Sequence, residues 1–200
     1  MAEAAKTKKL IAFLDEITAR LGTQKGEPLV KPKPQSVPPE HESGSLVLHL
    51  VARGLGGGGS WDGTSENWVV YSPAEVSKLL PAGSPAPGDV WGPDASLAAR
   101  LMTHVYPVTE NNDPSKNEIS QQSLRLTVLS VAGGVARARI DARLTMRHDF
   151  YHQPDGKTVE ARLVGYLDWE PGTAAVKDFR LVTDGATYGG GQFAVAVRAE

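Results

Sequence analysis

The sequence predicts a mainly β fold of the α+β class: an antiparallel β-barrel or sandwich of about seven strands, with an N-terminal amphipathic helix and two short helices. Three observations lead there. From Ser45 onward, apolar residues recur mostly at a period of two, the alternation of a half-buried strand. Glycine runs and an Asp-Gly step separate those stretches where turns belong. Helical spacing is confined to the start of the chain and two short stretches in its middle.

Residues 3–21 read as the amphipathic helix. Leu10, Phe13, Leu14, Ile17 and Leu21 follow the three- and four-residue spacing of a single stripe, and Gly22 stands where a helix stop belongs. Five of the 14 prolines then fall between Pro28 and Pro39. Each removes a backbone donor and biases its predecessor away from helix, so 23–44 is an extended, semi-rigid tether. The organisation is therefore a helix over 1–22, a Pro-rich tether over 23–44 and a β-rich domain over 45–200.

Within that domain, Ser45 to Arg53 is the first strand and Trp68 to Tyr71 the second, with a flexible stretch from Gly54 to Asn67 between them. Ser72-Pro73-Ala74-Glu75 opens a helix with a cap, a proline in the first turn and an early acid, and that helix ends near Leu80. Asp94 to Tyr106 is expected as the second short helix, with Leu97, Leu101 and Val105 on one face and Pro107 as its stop. Leu124, Leu126 and Val128 belong to a strand that turns at Gly133-Gly134. Ala136, Ala138, Ile140, Ala142, Leu144 and Met146 then share one face, while Arg137, Arg139, Asp141, Arg143 and Arg147 share the other. That is the pattern of an antiparallel strand with one face in the core.

Pro154-Asp155-Gly156 is a turn signal, and Val159, Ala161, Leu163, Gly165, Leu167 and Trp169 are the apolar face of the returning strand. A tight turn would set Met146 against Leu163, Leu144 against Gly165 and Ile140 against Trp169. It would also set Asp141 against Asp168. An even slip keeps apolar on apolar and an odd one does not. Strands over 174–183 and 192–198 complete the set, joined through Asp184-Gly185 and Gly189-Gly190-Gly191. Gly165 and the alanine-rich strand face leave room for curvature, which favours a barrel.

Composition excludes several classes. Two hundred residues can bury roughly 70% of their unfolded surface, so no metal or disulfide is needed for folding. Zero cysteines exclude disulfides, thiolate catalysis and Cys-based zinc sites. A formal net charge of −2 and a pI near 6.2 argue against nucleic acid as a partner. No apolar run approaches the roughly 20 residues of a membrane helix. Met1 to Lys9 lacks the apolar stretch of a secretory signal, which fits a cytoplasmic protein or a mature exported one equally.

Four sets of residues invite a functional reading. The run Gly54-Leu55-Gly56-Gly57-Gly58-Gly59-Ser60 leads to a strand instead of opening a helix, so it reads as a loop and not as a phosphate cradle. His104, His148 and His152, with Asp149, are the residue types of a divalent metal site. Four residues along a strand span about 13 Å, however, so His148 and His152 share an ion only across a bend. His49 reads as a satisfied histidine on a sheet face. The row Arg137, Arg139, Arg143 and Arg147 suits anions, yet 124–200 holds ten basic residues against nine acids, and Glu160, Asp168 and Glu170 lie on the returning strand. Cross-strand ion pairs explain the row more simply. Trp68, Trp91, Tyr106, Tyr166 and Tyr188 are residues of the kind that line a small-molecule pocket.

No nucleophile elbow or catalytic carboxylate pair stands out. The expected function is a non-enzymatic binding or interaction module. A lone helix cannot leave Leu10, Phe13, Leu14, Ile17 and Leu21 in water and remain stable, so that stripe must be buried against its own barrel, a second copy, another protein or a membrane surface, with a protein partner or a second copy as the expected one. Lys6, Lys8 and Lys9 would also suit an anionic membrane, but Asp15 and Glu16 dilute that case. The rival is an enzyme or ligand carrier with a pocket at the barrel mouth, its metal held by His104, His148 and His152. No other cofactor is expected.

Overall fold

The computed structural model describes residues 2–21, 37–56, 64–109, 113–149 and 156–200. The chain divides into two compact units, Met1–Gln35 and Ser36–Glu200. The first contains helix α1 (Ala2–Leu21), which no glycine or proline interrupts and which places Arg20 in its last turn, the favourable end of the dipole for a cation. Phe13 is 56% and Ile11 52% exposed, Leu14 is equally open, and Ile17 is half-buried. The side chains of Leu10 and Leu21, together with Gly22 and tether residues 23–36, lie outside the described residues. Residues 37–45 contain one turn, Ser43–Gly44, and no helix or strand.

The second unit is built on one antiparallel sheet of eight strands. In chain order these are β1 (Leu46–Leu55), β2 (Thr64–Tyr71), β3 (Val90–Trp91), β4 (Glu118–Ala132), β5 (Val135–Arg147), β6 (Thr158–Glu170), β7 (Ala175–Tyr188) and β8 (Gly191–Ala199). Helices α2 (Pro73–Leu79) and α3 (Ala95–Met102) lie between β2 and β4 in sequence. The spatial order is β2-β1-β8-β7-β6-β5-β4-β3, so the last strand sits in the middle, between β1 and β7. The sheet is open, with β2 and β3 at its ends. It nevertheless curls: Leu48 on β1 and Leu126 on β4, far apart in strand order, border the same apolar void beneath α3. That void is only about 30 Å³, so the interior is filled. Trp169, Tyr71, Tyr106 and Phe193 are its largest fully buried side chains.

The β4–β8 run is a meander whose turns follow the glycines. Gly133 and Gly134 have φ of 58° and 80°, and Gly189 and Gly190 have 54° and 86°. Two consecutive left-handed residues match the twist of the flanking strands, and glycine alone adopts that geometry without cost. β5 and β6 alternate buried and open residues along most of their length, as their sequences require.

Their register is four residues away from the tight-turn expectation. Met146 faces Val159, Leu144 faces Ala161, Ile140 faces Gly165 and Ala136 faces Trp169. The slip is even, so every apolar residue keeps its face. It also removes the Asp141–Asp168 confrontation: Asp168 now stands opposite Arg137, and Asp141 opposite Val164.

Other boundaries differ from expectation for identifiable reasons. β2 starts at Thr64 because Ser65, Glu66 and Asn67, weak strand formers, complete the ladder of Ala52, Val51 and Leu50. β4 starts at Glu118, its polar Gln121-Gln122-Ser123 stretch paired to β5 on one side. α3 ends at Met102, four residues before Tyr106, although Val105 and Tyr106 are still fully buried. The eighth strand, β3, is a two-residue pairing with Leu126 and Thr127. Asp184-Gly185 is not a turn: it lies within β7 as a bulge.

Polar contacts clasp α2 and α3 to the sheet. Ser72 and Glu75 form a reciprocal capping box at the start of α2. Tyr71 Oη donates to the Leu97 carbonyl at 2.8 Å, and Trp91 Nε1 donates to the Leu79 carbonyl at 3.1 Å. The Arg100 guanidinium reaches both Glu75 and the Val70 carbonyl and lies 4.8 Å from the centre of the Tyr71 ring.

Candidate functional site

The five aromatic residues expected to line a pocket do not gather in one. Trp68, Trp91 and Tyr166 border three different surface clefts. Trp68 stacks on its cross-strand partner His49 at 4.2 Å and 9°, while Trp91 meets Trp169 edge-on at 5.5 Å. Tyr166 is exposed on the outer face opposite Arg139. Tyr106 and Tyr188 do converge, and what they enclose is His148: Tyr106 stacks on the imidazole at 4.6 Å, and Tyr188 meets it edge-on at 5.4 Å. Burial pushes the Tyr106 hydroxyl up to about 12.

His148 is 1% exposed. Its Nδ1 lies 2.7 Å from Asn117 Oδ1, an acceptor, and its Nε2 lies 3.0 Å from Thr109 Oγ1. The neutral Nδ1–H tautomer satisfies both, with Thr109 donating to Nε2. Asn117 Nδ2 donates in turn to the Thr103 carbonyl at 2.6 Å, and Tyr188 Oη donates to the His148 carbonyl at 2.7 Å. The imidazole thus ties the chain after α3 to the end of β5. A metal at His148 would have to displace Asn117 or Thr109.

His104 is elsewhere in this region, beside the cleft that Trp68 borders, and burial holds its imidazole below the usual range. His152 lies outside the described residues, and among these no three His, Asp or Glu side chains group as metal ligands. His49 sits between two acids, 3.1 Å from Glu66 and 3.4 Å from Glu200.

The arginine row separates into two kinds. Arg137 pairs with Asp168 at 2.6 Å, Arg139 with Asp141 at 3.0 Å, and Arg147 with Glu118 at 2.7 Å. Hydrogen bonds from Arg137 hold the Asp168 carboxyl below its usual range. Such exposed pairs are screened by water and salt and add little to stability.

Arg143 is the exception. Its cross-strand neighbour is Arg162, a like charge, and neither forms an ion pair among the described residues. The two border an outer-face groove of about 640 Å³ that reaches across β5, β6, β7 and β8. The bulge in β7 makes this groove. Pairing with β8 lapses between Val182 and Thr187, and Gly185 takes φ of 93°. The Thr183 hydroxyl replaces the missing ladder acceptor, receiving Val195 N–H at 3.0 Å. The carbonyl of Asp184 turns toward β6 and accepts from Arg162 Nε at 3.2 Å.

Comparison with protein-family models, curated proteins and solved structures returns no match. The reading of this chain therefore rests on its own residues.

Proposed function

We propose that this protein is a non-enzymatic binding and interaction module that engages a protein partner through α1, with a second copy of the chain as the first partner to test. The observation that carries this reading is the exposure of Phe13 and Leu14, two residues of the stripe, on a 20-residue helix whose opposite side carries Lys8, Asp15 and Glu16. Each buried apolar side chain of that size stabilises by about 1.5–3 kcal/mol, and a helix-in-groove or helix-pair interface collects several at once. The filled sheet interior supports the same reading. A void of about 30 Å³ leaves no room for a substrate inside the curled sheet.

The test is Phe13→Asp in the full chain, read by sedimentation equilibrium and by thermal melting of the β signal. The expected result is a native dimer that becomes monomeric in the variant, with melting unchanged. A melting temperature that drops while the mass stays constant would assign the stripe to the stability of its own chain, and would overturn the proposal.

A further inference from the structure

Going beyond α1, we infer that the outer-face groove at the β7 bulge is a binding site for a phosphorylated polyhydroxy compound, of the sugar-phosphate class. Arg143 and Arg162 stand directly opposite each other on β5 and β6. Like charges in that position destabilise a sheet, and the other arginines of this row are neutralised by acids. A dianionic phosphoryl group carries the two charges this pair lacks and enough acceptor oxygens to meet two guanidinium forks.

Arg162 is already oriented. Its Nε donates to the Asp184 carbonyl of the bulge, which anchors the guanidinium at the groove's wall. Gly185 keeps the wall low beside it, since a Cβ there would lie 3.5 Å from Arg162 Nη2.

The remainder of the groove suits hydroxyl groups. Thr183, Thr187 and Gln192 line it, and Glu160 lines it as well without an ion pair of its own among the described residues. The Thr183 oxygen accepts from Val195 N–H, so its own proton is left to donate. The Glu160 carboxylate, two residues from Arg162, offsets part of the pair's positive charge, which limits the groove to a single phosphoryl group, and it accepts readily from a hydroxyl. The groove's volume of about 640 Å³ fits a small organic ligand.

The experiment is isothermal titration calorimetry of the full chain with ribose 5-phosphate, with ribose and inorganic phosphate as comparisons. Saturable binding of ribose 5-phosphate is expected, weaker binding of inorganic phosphate, and none of ribose. Arg143→Gln and Arg162→Gln should each weaken binding by about tenfold or more, the loss of a charge-assisted contact. Arg198→Gln, an exposed arginine at the far end of β8 that pairs with Glu200, should leave it unchanged. No saturable binding, or equal affinity in all three variants, would overturn the site. Equal affinity for inorganic phosphate and ribose 5-phosphate would overturn the assignment of the polyol. None of these results bears on the α1 proposal, whose readout is mass and melting.

Discussion

Added at Gly165, a Cβ atom would lie 2.0 Å from the Arg180 carbonyl oxygen and 2.8 Å from the Leu181 Cα. Both are backbone atoms of the neighbouring strand, and neither can rotate away as a side-chain tip would. Gly165 is therefore where β7 presses onto β6 and the sheet bends. Gly165→Ala is expected to lower unfolding stability by roughly 3 kcal/mol, the upper range for overpacking a filled core. Gly172→Ala is the matched control, because nothing lies within 4 Å of its added methyl, and it should change stability by less than about 0.5 kcal/mol. Urea titration of both variants separates the outcomes, and equal stability would mean that the bend does not depend on this glycine. The link between Gly165 and curvature was legible because a strand face of glycine and alanine leaves room to bend. The special status of Arg143 was not. In the expected register it faces Tyr166, and only the four-residue slip sets it against Arg162.

Among the elements, legibility followed the strength of the apolar alternation. β5 and the faces of β6 are written in their sequences because each alternate residue must leave water. Their mutual register is not, since any even slip buries the same residues and the sequence alone does not choose among the even slips. The polar starts of β2 and β4 are strands because a neighbouring ladder supplies their partners, a tertiary cause that local propensity does not record. The bulge that shapes the groove was hidden by Asp184-Gly185, a dipeptide that serves a turn or a bulge equally well. α2 was legible because its cap is local: Ser72 accepts from Glu75 N–H, and Glu75 accepts in return from Ser72 N–H at 2.9 Å. Ser72→Ala should cost about 1 kcal/mol, read as a lower urea midpoint with an unchanged slope. A changed slope would indicate that the cap holds more than its own helix.

For the molecule as a whole, protonation acts in one direction. Burial holds His104 below its ordinary value of 6.5, so the unfolded chain takes up that proton first. Its contribution is fully present above about pH 6.5 and is lost as pH falls through the window beneath. Asp94, Glu75 and Asp168, held low by Ser96, by Ser72 and by Arg137 respectively, add their losses below about pH 5. Melting temperature should therefore be flat above neutrality, decline gently below it and fall steeply in acid. His104→Asn should make the gentle phase shallower and keep the steep one. A variant profile that superimposes on the parent's would remove His104 from this account. The placement of β8 has a different kind of consequence. It is the last strand in sequence, yet it hydrogen-bonds to both β1 and β7 and thereby joins the β1–β2 hairpin to the meander. During synthesis on a ribosome, β1 must wait with one edge bare until β2 to β7, and then β8, have emerged. An open edge held that long invites pairing with other nascent chains, so the pace of translation and the company of chaperones bear directly on how much of this protein reaches its native state.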